Sequence, residues 1–510
     1  MLEFVLRRRR VGGLRIDAHK ALSTQRQIAE EFVPARLYVP LSTQAGAAPE
    51  VCVARGDAVL KGQTIALGRP ASRTADVHAS SSGKVVDFTE FELGTPHGAQ
   101  SLQCAVIETD GRDAALAPAR NDPAPGGSHA DRLESIRRAG IVGLGGAAVT
   151  TSWKLARTES LATLIINGAE CEPYISCDDV LMREHARGIL EGSVILSDLI
   201  DAQRCIVAIE RDKPEAIAAI RAAADALADP RVQLAELPSI YPAGGERQLI
   251  ELLIGEQVPG GEYPSDIGIV CQNVATVLAV QRALTFGEPL ISRVVTLTGN
   301  GIAQPRNVQA RIGTAIADLV AHHGGYAGNP AALIVGGSMM GIAQSSDAIP
   351  VTKGTNCIFV PDADEFGEKR AEWPCIRCGE CAAACPAKLL PQELLRAAET
   401  ENFTQLQTLG VEDCLECGCC DAICPSHIRL TSRFIAGMQA LRSRREAQRF
   451  AQVAQTRFEE RTRRLATEDR KEQETQAALR SRVADERDRK RAIEAALRRS
   501  ARRKNGSEGV

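Results

Sequence analysis

Short runs of alternating apolar and polar residues dominate the first quarter of the chain. After an irregular, polar stretch over 1–35, the strand-like segments are ARLYVPLSTQ, EVCVARGDAVLKGQTIALG, ADVHASSSGKVVDF and LQCAVIETDG. Gly-Asp, Lys-Gly and Ser-Gly pairs break these runs, and such pairs are typical of tight turns between strands. The pattern predicts a small all-β unit, which a Pro/Gly-rich linker over 117–128 ends.

The middle of the chain alternates between strand-like and helix-like segments. LATLIINGA and RCIVAIE are short apolar runs, whereas VLMREHARGILEGSVILSDLI and KPEAIAAIRAAADAL have apolar residues at helical spacing. Such alternation over about 150 residues predicts an α/β domain with helices packed on a sheet. RVVTLTGNGIAQPRNVQARIGTAIADLVAHHGG then predicts two strands and a helix, and AALIVGG adds a strand to this small α+β unit.

The C-terminal pattern is different again. From about 438 to 504 the chain lacks Gly and Pro and is rich in Arg, Ala, Glu and Gln. This composition is typical of a long exposed helix. Its apolar residues stand too far apart to form a core, so we expect a charged tail that is helical or partly disordered.

Composition and charge limit the class of protein. The 510 residues are 44% hydrophobic and 25% charged, which fits a soluble chain of three or more domains. No run approaches the ~20 apolar residues of a membrane-spanning helix. MLEFVLRRRR has its basic residues after an apolar run, the reverse of a secretory signal. The formal charge of −3 argues against a nucleic-acid partner, although residues 441–510 hold 21 basic and 12 acidic residues.

Nine of the sixteen cysteines lie between 375 and 424. CIRCGECAAACP and CLECGCCDAICP each carry C-x2-C-x2-C-x3-C-P, displaced by 39 residues. Three thiolates at this spacing wrap around three irons of one [4Fe–4S] cube, while the fourth ligates a second cube. The predicted ligands of the first cluster are Cys375, Cys378, Cys381 and Cys424, and those of the second are Cys414, Cys417, Cys420 and Cys385. Two adjacent cubes indicate an electron relay.

A zinc interpretation of these cysteines is weaker. A tetrahedral zinc site uses two C-x2-C pairs and has no use for the third equally spaced cysteine. Cys419 interrupts the spacing, and its counterpart in the first motif is Glu380, so we expect it beside a cluster and not as a ligand. Cys357 and the six earlier cysteines have no partner spacing and are expected to be small buried residues.

A glycine-rich loop, GLGGAA, contains Gly143, Gly145 and Gly146. Its spacing fits a loose dinucleotide-binding fingerprint, but a helix precedes it where a strand belongs, which weakens an ordinary Rossmann interpretation. Lys154 follows within two helical turns and suits a phosphate, and the amides of a helix N-terminus also favour an anion. Asn167, Glu170 and Tyr174 follow a predicted strand, and ligands of α/β proteins bind at the carboxyl ends of strands.

These motifs, in this order, resemble a known family. GLGGAAVTTSWKL, INGAECEPYISCDDVLMRE, YPAGGERQLI and CQNVATVLAV are similar to the flavin- and NADH-binding subunit of respiratory complex I. GDAVLKGQTIA with HASSSGKVV resembles the barrel-sandwich hybrid of biotinyl and lipoyl carriers. With GGLRIDAHKALS and the two-cluster motif, the whole order resembles the RnfC/RsxC family of the Rnf/Rsx ion-translocating electron-transport complexes, over about residues 10–435.

The resemblance implies a multidomain α/β and α+β protein. The expected parts are a barrel-sandwich-like domain over 1–125, a flavin/NADH-binding α/β domain over 126–290, a β-grasp (soluble-ligand-binding) module over 291–345, a linker over 346–370, a two-[4Fe–4S] ferredoxin domain over 371–436 and a basic, charged helical or disordered tail over 437–510.

The resemblance also implies the residues of a flavin site. Gly143, Gly145, Gly146 and Lys154 would hold the phosphate and ribityl groups of FMN. Asn167, Glu170 and Tyr174 would line the isoalloxazine and nicotinamide side, and Gly244, Gly245, Glu246, Asn273 and Thr276 would complete the pocket. The family's Gly-Ala-Gly-Phe-Pro-Thr is here GAAVTT over 146–151, and Gln272 replaces a usual Asn, changes that would crowd the flavin or alter nicotinamide stacking.

By the same resemblance, the function would be electron transfer between NAD(H), FMN and membrane partners through two [4Fe–4S] clusters, with no catalytic residue beyond the cofactor sites. The partners would be other subunits of a membrane complex and ferredoxin or NAD(H), with the chain peripheral at the cytoplasmic face of the bacterial inner membrane. Two alternatives stay open: a two-cluster relay and assembly scaffold with a vestigial flavin pocket, and a soluble flavin subunit of a hydrogenase or formate dehydrogenase.

Overall fold

The computed structural model describes residues 12–42, 49–69, 73–117, 128–156, 162–367 and 370–504. The predicted linker over 117–128 and the end of the tail, 505–510, lie almost entirely outside this part. The chain divides into two compact units, Met1–Gly437 and Met438–Val510. Within the described ranges, no helix combines the length and the apolar character that crossing a membrane requires.

The described strands and helices are as follows. The strands are β1 Ala29–Phe32, β2 Arg36–Pro40, β3 Glu50–Val51, β4 Ala58–Val59, β5 Thr64–Leu67, β6 Val77–His78, β7 Gly83–Thr95, β8 Gly98–Thr109, β9 Thr163–Gly168, β10 Arg204–Glu210, β11 Val232–Leu237, β12 Ile269–Asn273, β13 Ser292–Thr298, β14 Arg306–Arg311, β15 Ile334–Val335, β16 Ile342–Ala343 and β17 Cys357–Phe359. The helices are α1 His129–Arg138, α2 Thr151–Leu155, α3 Cys177–Leu199, α4 Pro214–Leu227, α5 Glu246–Ile254, α6 Val274–Phe286, α7 Ile316–His322, α8 Ala363–Phe366, α9 Glu380–Ala384, α10 Pro391–Glu399, α11 Phe403–Thr408, α12 Cys419–Ala422 and α13 Leu430–Lys504.

The N-terminal β unit consists of two small sheets, in the orders β2-β8-β7-β4 and β3-β5-β6. Alternate residues of these strands point inward, so Leu37, Val39, Ile65, Val85 and Ile107 form a common core. The predicted all-β unit is confirmed.

The α/β domain is built on a four-stranded parallel sheet with the order β11-β10-β9-β12. Both faces are covered: Leu164 and Ile166 of β9 belong to one hydrophobic core, and Ile165 belongs to another. The strand order reverses between β9 and β12, since β10 and β11 lie on the other side of β9. Ligands of open α/β sheets bind at the carboxyl ends of strands at such a reversal.

The predicted α+β unit over 291–345 is part of a six-stranded sheet, β1-β14-β13-β17-β15-β16, with α7 against it. The inner strand β17 comes from the stretch over 346–370 that is expected to be a linker. Its edge strand, Ala29–Phe32, lies in the stretch that the sequence predicts to be irregular, so that prediction is wrong for these residues. The segment AEEF is a strand because it pairs in parallel with β14, as Ala29 with Val308 and Phe32 with Ala310. This pairing joins segments about 280 residues apart, which local pattern does not reveal.

The cysteine-rich region contains short helices, and the insert between its two motifs forms α10 and α11. The final helix, α13, runs for 75 residues from Leu430 to Lys504, so the expected boundary between 436 and 437 falls inside it. In the second unit the aromatic side chains of Phe450 and Phe458 are 74% and 69% exposed, in agreement with a tail that lacks a core.

Candidate functional site

The eight predicted cluster ligands line two cavities. Cys375, Cys378, Cys381 and Cys424 line the first cavity. Cys385, Cys414, Cys417 and Cys420 line the second cavity. Each cavity therefore takes three thiols from one motif and its fourth thiol from the other, which is the grouping that the spacing predicts. Their roles as ligands remain a prediction.

The two motifs share one backbone conformation. Residues with positive φ recur at equivalent positions: Arg377, Gly379 and Lys388 in the first motif (57°, 84° and 56°), and Glu416, Gly418 and His427 in the second (56°, 72° and 53°). Left-handed residues turn the chain sharply, and here they turn it around each cavity. The two motifs therefore share a backbone conformation that continues to the third residue after the fourth cysteine of each motif, beyond the repeated sequence itself.

The donor set fits iron–sulfur clusters. The amide of Leu389 donates to Cys385 Sγ at 3.4 Å, and the amide of Glu416 donates to Cys414 Sγ at 3.4 Å. Amide donors on sulfur are a common way for proteins to stabilise a coordinating thiolate. Burial raises the pKa of the Cys414 thiol to about 12, and a bound metal ion would favour its deprotonated form.

The two cavities differ in their exposure. Cys375 and Cys378 of the first cavity are exposed, whereas Cys417 and Cys420 of the second are buried. Cys419 also lines the second cavity, and its thiol lies 3.9 Å from the carbonyl oxygen of Tyr241. It thus lies beside the predicted ligands, where the interrupted spacing places it.

Tyr241 joins the second cavity to the α/β domain. Its hydroxyl donates to the carbonyl oxygen of Cys417 at 2.7 Å, and its side chain is 3% exposed. The backbone of Tyr241 forms two hydrogen bonds with Leu14, of 2.8 and 2.9 Å. Sequence patterns do not reveal this contact, because it joins three segments that are far apart in the chain. Tyr241 opens the YPAGGE loop, which contains three predicted flavin-site residues.

The glycine loop is held by α6. The amide of Leu144 donates to Thr276 Oγ1 at 2.8 Å. A Cβ at Gly145 would lie 3.3 Å from Cβ of Asn273, so the loop passes close to the start of α6. Gly146 has φ of 113°, a conformation that favours glycine. The structure thus brings together the glycine loop, Asn273 and Thr276, as predicted.

Ala148 occupies the position where the resemblance expects glycine. Its φ is 48°, in the left-handed region, which costs a non-glycine residue about 1–2 kcal/mol. The residue is 4% exposed, and its Cβ lies 3.9 Å from the position that a Cβ would take at Gly354. The backbone at Ala148 therefore has the conformation that a glycine would adopt. The methyl group of Ala148 is buried on the side of the loop that faces Gly354.

Lys154 meets another predicted residue. Its ammonium forms an ion pair with Glu246 and donates to the carbonyl oxygen of Cys271 at 2.6 Å. The helix that carries it, α2, has only five residues, so the expected contribution of a helix N-terminus is not supported. The cation lies close to the carboxyl end of β12, as a phosphate-binding lysine requires.

Asn167 and Gly244 are also brought together. Asn167 Nδ2 donates to the carbonyl oxygen of Gly244 at 2.9 Å, and Asn167 is the register partner of Asn273 on the neighbouring strand. A Cβ at Gly244 would lie 2.1 Å from the carbonyl oxygen of Ala169, so only glycine fits. Gly245 then precedes α5, which begins at Glu246.

Glu170 and Tyr174 are placed differently from the other predicted residues. The Glu170 carboxylate accepts from the amides of Asp178 at 2.8 Å and Asp179 at 3.3 Å, at the start of α3. The Tyr174 ring packs against His19 and Phe359, at centroid distances of 4.6 and 4.4 Å. These contacts are structural, and they do not support a role of the Tyr174 ring against nicotinamide.

Asp178 connects Glu170 to the glycine-loop side of the site. Asn273 Nδ2 donates to Asp178 Oδ2 at 2.6 Å. Burial, followed by the nearby charge of Glu170, raises the pKa of the Asp178 carboxyl to about 7. Nothing in the sequence marks Asp178, because a carboxylate in the first turn of a helix is common without any function.

Comparisons with protein families match most of the chain. The matches are the RnfC Barrel sandwich hybrid domain over 9–112, the Nuo51 FMN-binding domain over 136–282, the SLBB domain over 294–343 and the 4Fe-4S dicluster domain over 368–449. The multidomain fold, the FMN-binding domain and the [4Fe–4S] dicluster domain agree with the predictions from sequence.

Curated relatives share one name, that of the RnfC component of the ion-translocating oxidoreductase complex. The protein of Pseudomonas aeruginosa is 44% identical over 92% of this chain and 60% of its own length. That of Yersinia enterocolitica is 40% identical over 98% and 71%, and that of Yersinia pestis bv. Antiqua is 39% identical over 98% and 80%. The chain thus spans only about 60% of the Pseudomonas protein. A chain of an NAD+-reducing [NiFe]-hydrogenase has 21% identity and a TM-score of 0.43, over 62% of this chain and 61% of that chain, too low to establish a shared fold.

Proposed function

The chain belongs to the RnfC family of ion-translocating oxidoreductase complexes, and we propose that it passes electrons between NAD(H) and partner subunits. When bound, FMN supplies the exchange between electron pairs and single electrons, and each [4Fe–4S] cluster carries one electron. The residues of this chain hold these groups at fixed distances and exclude water. The partners that we propose are other subunits of a membrane complex, with ferredoxin or NAD(H) as the electron source or acceptor.

The proposal is carried by the arrangement of the two cysteine-lined cavities. Cys417 and Cys420 of the second cavity are buried, and this cavity contacts the α/β domain through Tyr241. The first cavity is open at the surface, where Trp373 and Ile376 are 68% and 67% exposed. We therefore assign the order flavin pocket, second cluster, first cluster and partner. Electron transfer requires the last centre to be near the surface, and the exposure of Cys375 and Cys378 supports this direction of the path.

In the flavin pocket, we assign the phosphate to the glycine loop. Gly145, Gly146 and Ala147 are exposed, and their amides have no acceptor in the part of the chain that the structure describes. Free consecutive amides form a concave anion site. We assign Lys154 to the same phosphate, and Asn167 and the residues of the YPAGGE loop to the rest of the ligand. These assignments keep the ligand at the strand reversal between β9 and β12.

We also propose that the chain is peripheral at the cytoplasmic face of the bacterial inner membrane. The names of its relatives support a place in a membrane complex, and the charged tail and the exposed first cavity provide surfaces for other subunits. Ion translocation itself would belong to those partners.

The proposed function can be tested with the purified chain under anaerobic conditions. We expect about eight irons per chain, a reduced cubane EPR signal, binding of FMN, and bleaching of the clusters by NADH in the FMN-loaded protein. Cys375→Ser should lose one cluster, whereas Cys357→Ser, at a buried cysteine outside both motifs, should keep both. Far fewer than eight irons, or an intact Cys375→Ser protein, would contradict the two-cluster relay.

The alternative function, a two-cluster relay and assembly scaffold, is favoured by two observations. Ala148 replaces the family's glycine at a φ of 48°, which favours glycine, and Glu246 already neutralises Lys154. A scaffold predicts clusters that dithionite reduces fully while NADH with FMN reduces neither. NADH-dependent bleaching would exclude this alternative.

A further inference from the structure

A buried arginine of the β-grasp sheet holds the glycine loop. Arg293 of β13 is 3% exposed, and it donates hydrogen bonds to backbone carbonyls. Nη2 donates to the carbonyl oxygen of Leu144 at 3.0 Å, and Nη1 donates to that of Lys353 at 2.5 Å. The guanidinium therefore links the glycine loop of one domain to the turn before β17 in another.

A second buried cation lies in that turn. Lys353 is 8% exposed, and its ammonium donates to the carbonyl oxygens of Gly140 at 2.6 Å and Asp76 at 3.3 Å. The next residue, Gly354, lies against the loop, because a Cβ there would be 3.6 Å from the carbonyl oxygen of Gly146. Burial lowers the pKa of Lys353 to about 8, so the ammonium keeps most of its charge at neutral pH.

Neither cation has a carboxylate partner. Among the residues that the structure describes, Arg293 and Lys353 form no ion pair. The carboxylates of Asp178 and Asp76 act on them only from beyond ion-pair distance. Asp178 is only partly ionised near pH 7. Two buried positive charges without anions are costly unless something compensates them. A bound anion on the neighbouring loop would do so.

The hydrogen bond from Arg293 also orients the loop. The C=O and N–H groups of a trans peptide point in opposite directions. Since the Leu144 carbonyl points to the guanidinium, the following amide of Gly145 points to the other side, where the loop is exposed. Arg293 thus turns a free amide toward the site that we assign to the phosphate.

We propose that Arg293 and Lys353 are positioning and specificity residues. They support the glycine loop on the face opposite the proposed phosphate site, and they make this site selective for a phosphorylated flavin over an uncharged one. The inference rests on the proposed flavin site and adds to it two residues of a different domain. Both residues act through the loop and through their charge, and neither touches the ligand.

The test compares the affinities of the full-length chain for FMN and for riboflavin, which differ only in the phosphate, by quenching of flavin fluorescence. We expect the unaltered chain to prefer FMN. In Arg293→Met and in Lys353→Met, FMN binding should weaken about tenfold or more while riboflavin binding changes less than about twofold. Arg293→Lys keeps the charge and should recover part of the preference.

Arg311→Met is the matched control. Arg311 is also 3% exposed, lies on the neighbouring strand β14 and bridges to another domain, but it pairs with Asp113 and does not contact the glycine loop. Its loss should lower stability and leave the ratio of the two affinities unchanged.

The outcomes separate the inference from the proposed function. An unaltered chain that binds no FMN would contradict the flavin site itself. FMN binding with an unchanged FMN-to-riboflavin ratio in both Met variants would overturn the inference alone, and so would an equal loss of both flavins. Lys353→Met leaves the hydrogen bonds of Arg293 in place, and Arg293→Lys keeps the positive charge. If the Arg293→Met protein misfolds, these two variants still decide the question.

Discussion

Two adjacent glycines of the proposed flavin pocket differ in how closely other backbone atoms approach them. At Gly244 the chain passes so near to Ala169 that no side chain fits. At Gly245 a Cβ would lie 2.8 Å from the flexible end of Gln248 and 3.3 Å from the carbonyl oxygen of Pro242, a much smaller conflict. The two adjacent glycines look equivalent in the motif, but only the first is required by packing.

This difference predicts different effects of two neighbouring substitutions. Gly244→Ala should lower the free energy of unfolding by about 1–3 kcal/mol and weaken FMN binding, because the backbone of the loop must move. Gly245→Ala, whose φ of −61° suits any residue, should have little effect on either. Thermal unfolding and flavin titration measure both quantities, and equal losses in the two variants would contradict the steric argument.

Asp178 predicts a pH dependence of stability. Its pKa is raised to about 7, so between about pH 4 and 7 the folded chain holds a proton that the unfolded chain has released. This residue therefore makes stability fall as pH rises through that range, by at most ~1.4 kcal/mol per pH unit. Asp178→Asn should flatten the curve of unfolding free energy against pH. An unchanged slope in the variant would show that Asp178 titrates normally.

At the scale of elements, the two cysteine motifs exchange their fourth cysteines. Each motif contributes three thiols to one cavity and one thiol to the other, and the short helices α9 and α12 repeat the same geometry. The helices α10 and α11 between them reverse the chain, which allows the second motif to pack against the first.

The exchange predicts which cluster each substitution damages. Cys424→Ser, in the second motif, should abolish the EPR signal of the first cluster and reduce iron toward about four atoms per chain. Cys385→Ser should damage the second cluster instead. Cys419→Ser is the matched control within the same motif and should leave both clusters. Loss of the second cluster in Cys424→Ser would show that each motif ligates its own cube.

In the α/β sheet, too, the position of predicted site residues depends on which strands are adjacent. Asn167 and Asn273 end adjacent parallel strands and are register partners, which places both amides at the strand reversal. The motifs predict both residues in the pocket, but their adjacency follows from the strand order, which is a property of the sheet.

At the scale of the whole molecule, the redox sites are joined where distant segments meet. Tyr241 of the α/β domain, Cys417 of the second motif and Leu14 near the start of the chain meet in one place. This junction lies between the proposed flavin pocket and the second cavity, so we expect it to affect electron transfer between the two.

Tyr241→Phe should weaken that coupling. The variant keeps the ring but removes the hydroxyl that donates to Cys417, so cluster reduction by NADH in the FMN-loaded protein should slow severalfold. Reduction by dithionite, which reaches the exposed first cavity directly, should be unchanged. Stopped-flow bleaching measures both rates, with Tyr326→Phe, a surface tyrosine bonded to Asp347, as the control. Equal NADH rates in the two variants would contradict the proposed path.

The sequence alone determined the features that depend on local order. The spacing of eight cysteines predicted two groups of four thiols, because a cube requires close ligands on one loop and one ligand from a partner loop. Apolar periodicity predicted the β unit, the α/β domain and the strands of the α+β unit, since burial of one face leaves a period in the sequence. Composition, with neither Gly nor Pro from about 438 to 504, predicted the long final helix.

Only the tertiary structure decided which distant residues share a site. Nothing near Arg293 or Lys353 in the sequence marks a phosphate site, and the strand over 29–32 has no pattern of its own. Tyr241 lies in the motif YPAGGERQLI, but the motif does not show that its side chain contacts Cys417. Tyr174 sits in the expected motif, yet its ring packs against His19 and Phe359. Such contacts depend on how whole domains pack against one another. The sequence pattern shows which face of a strand or helix is buried, but it does not show which distant segment packs against that face.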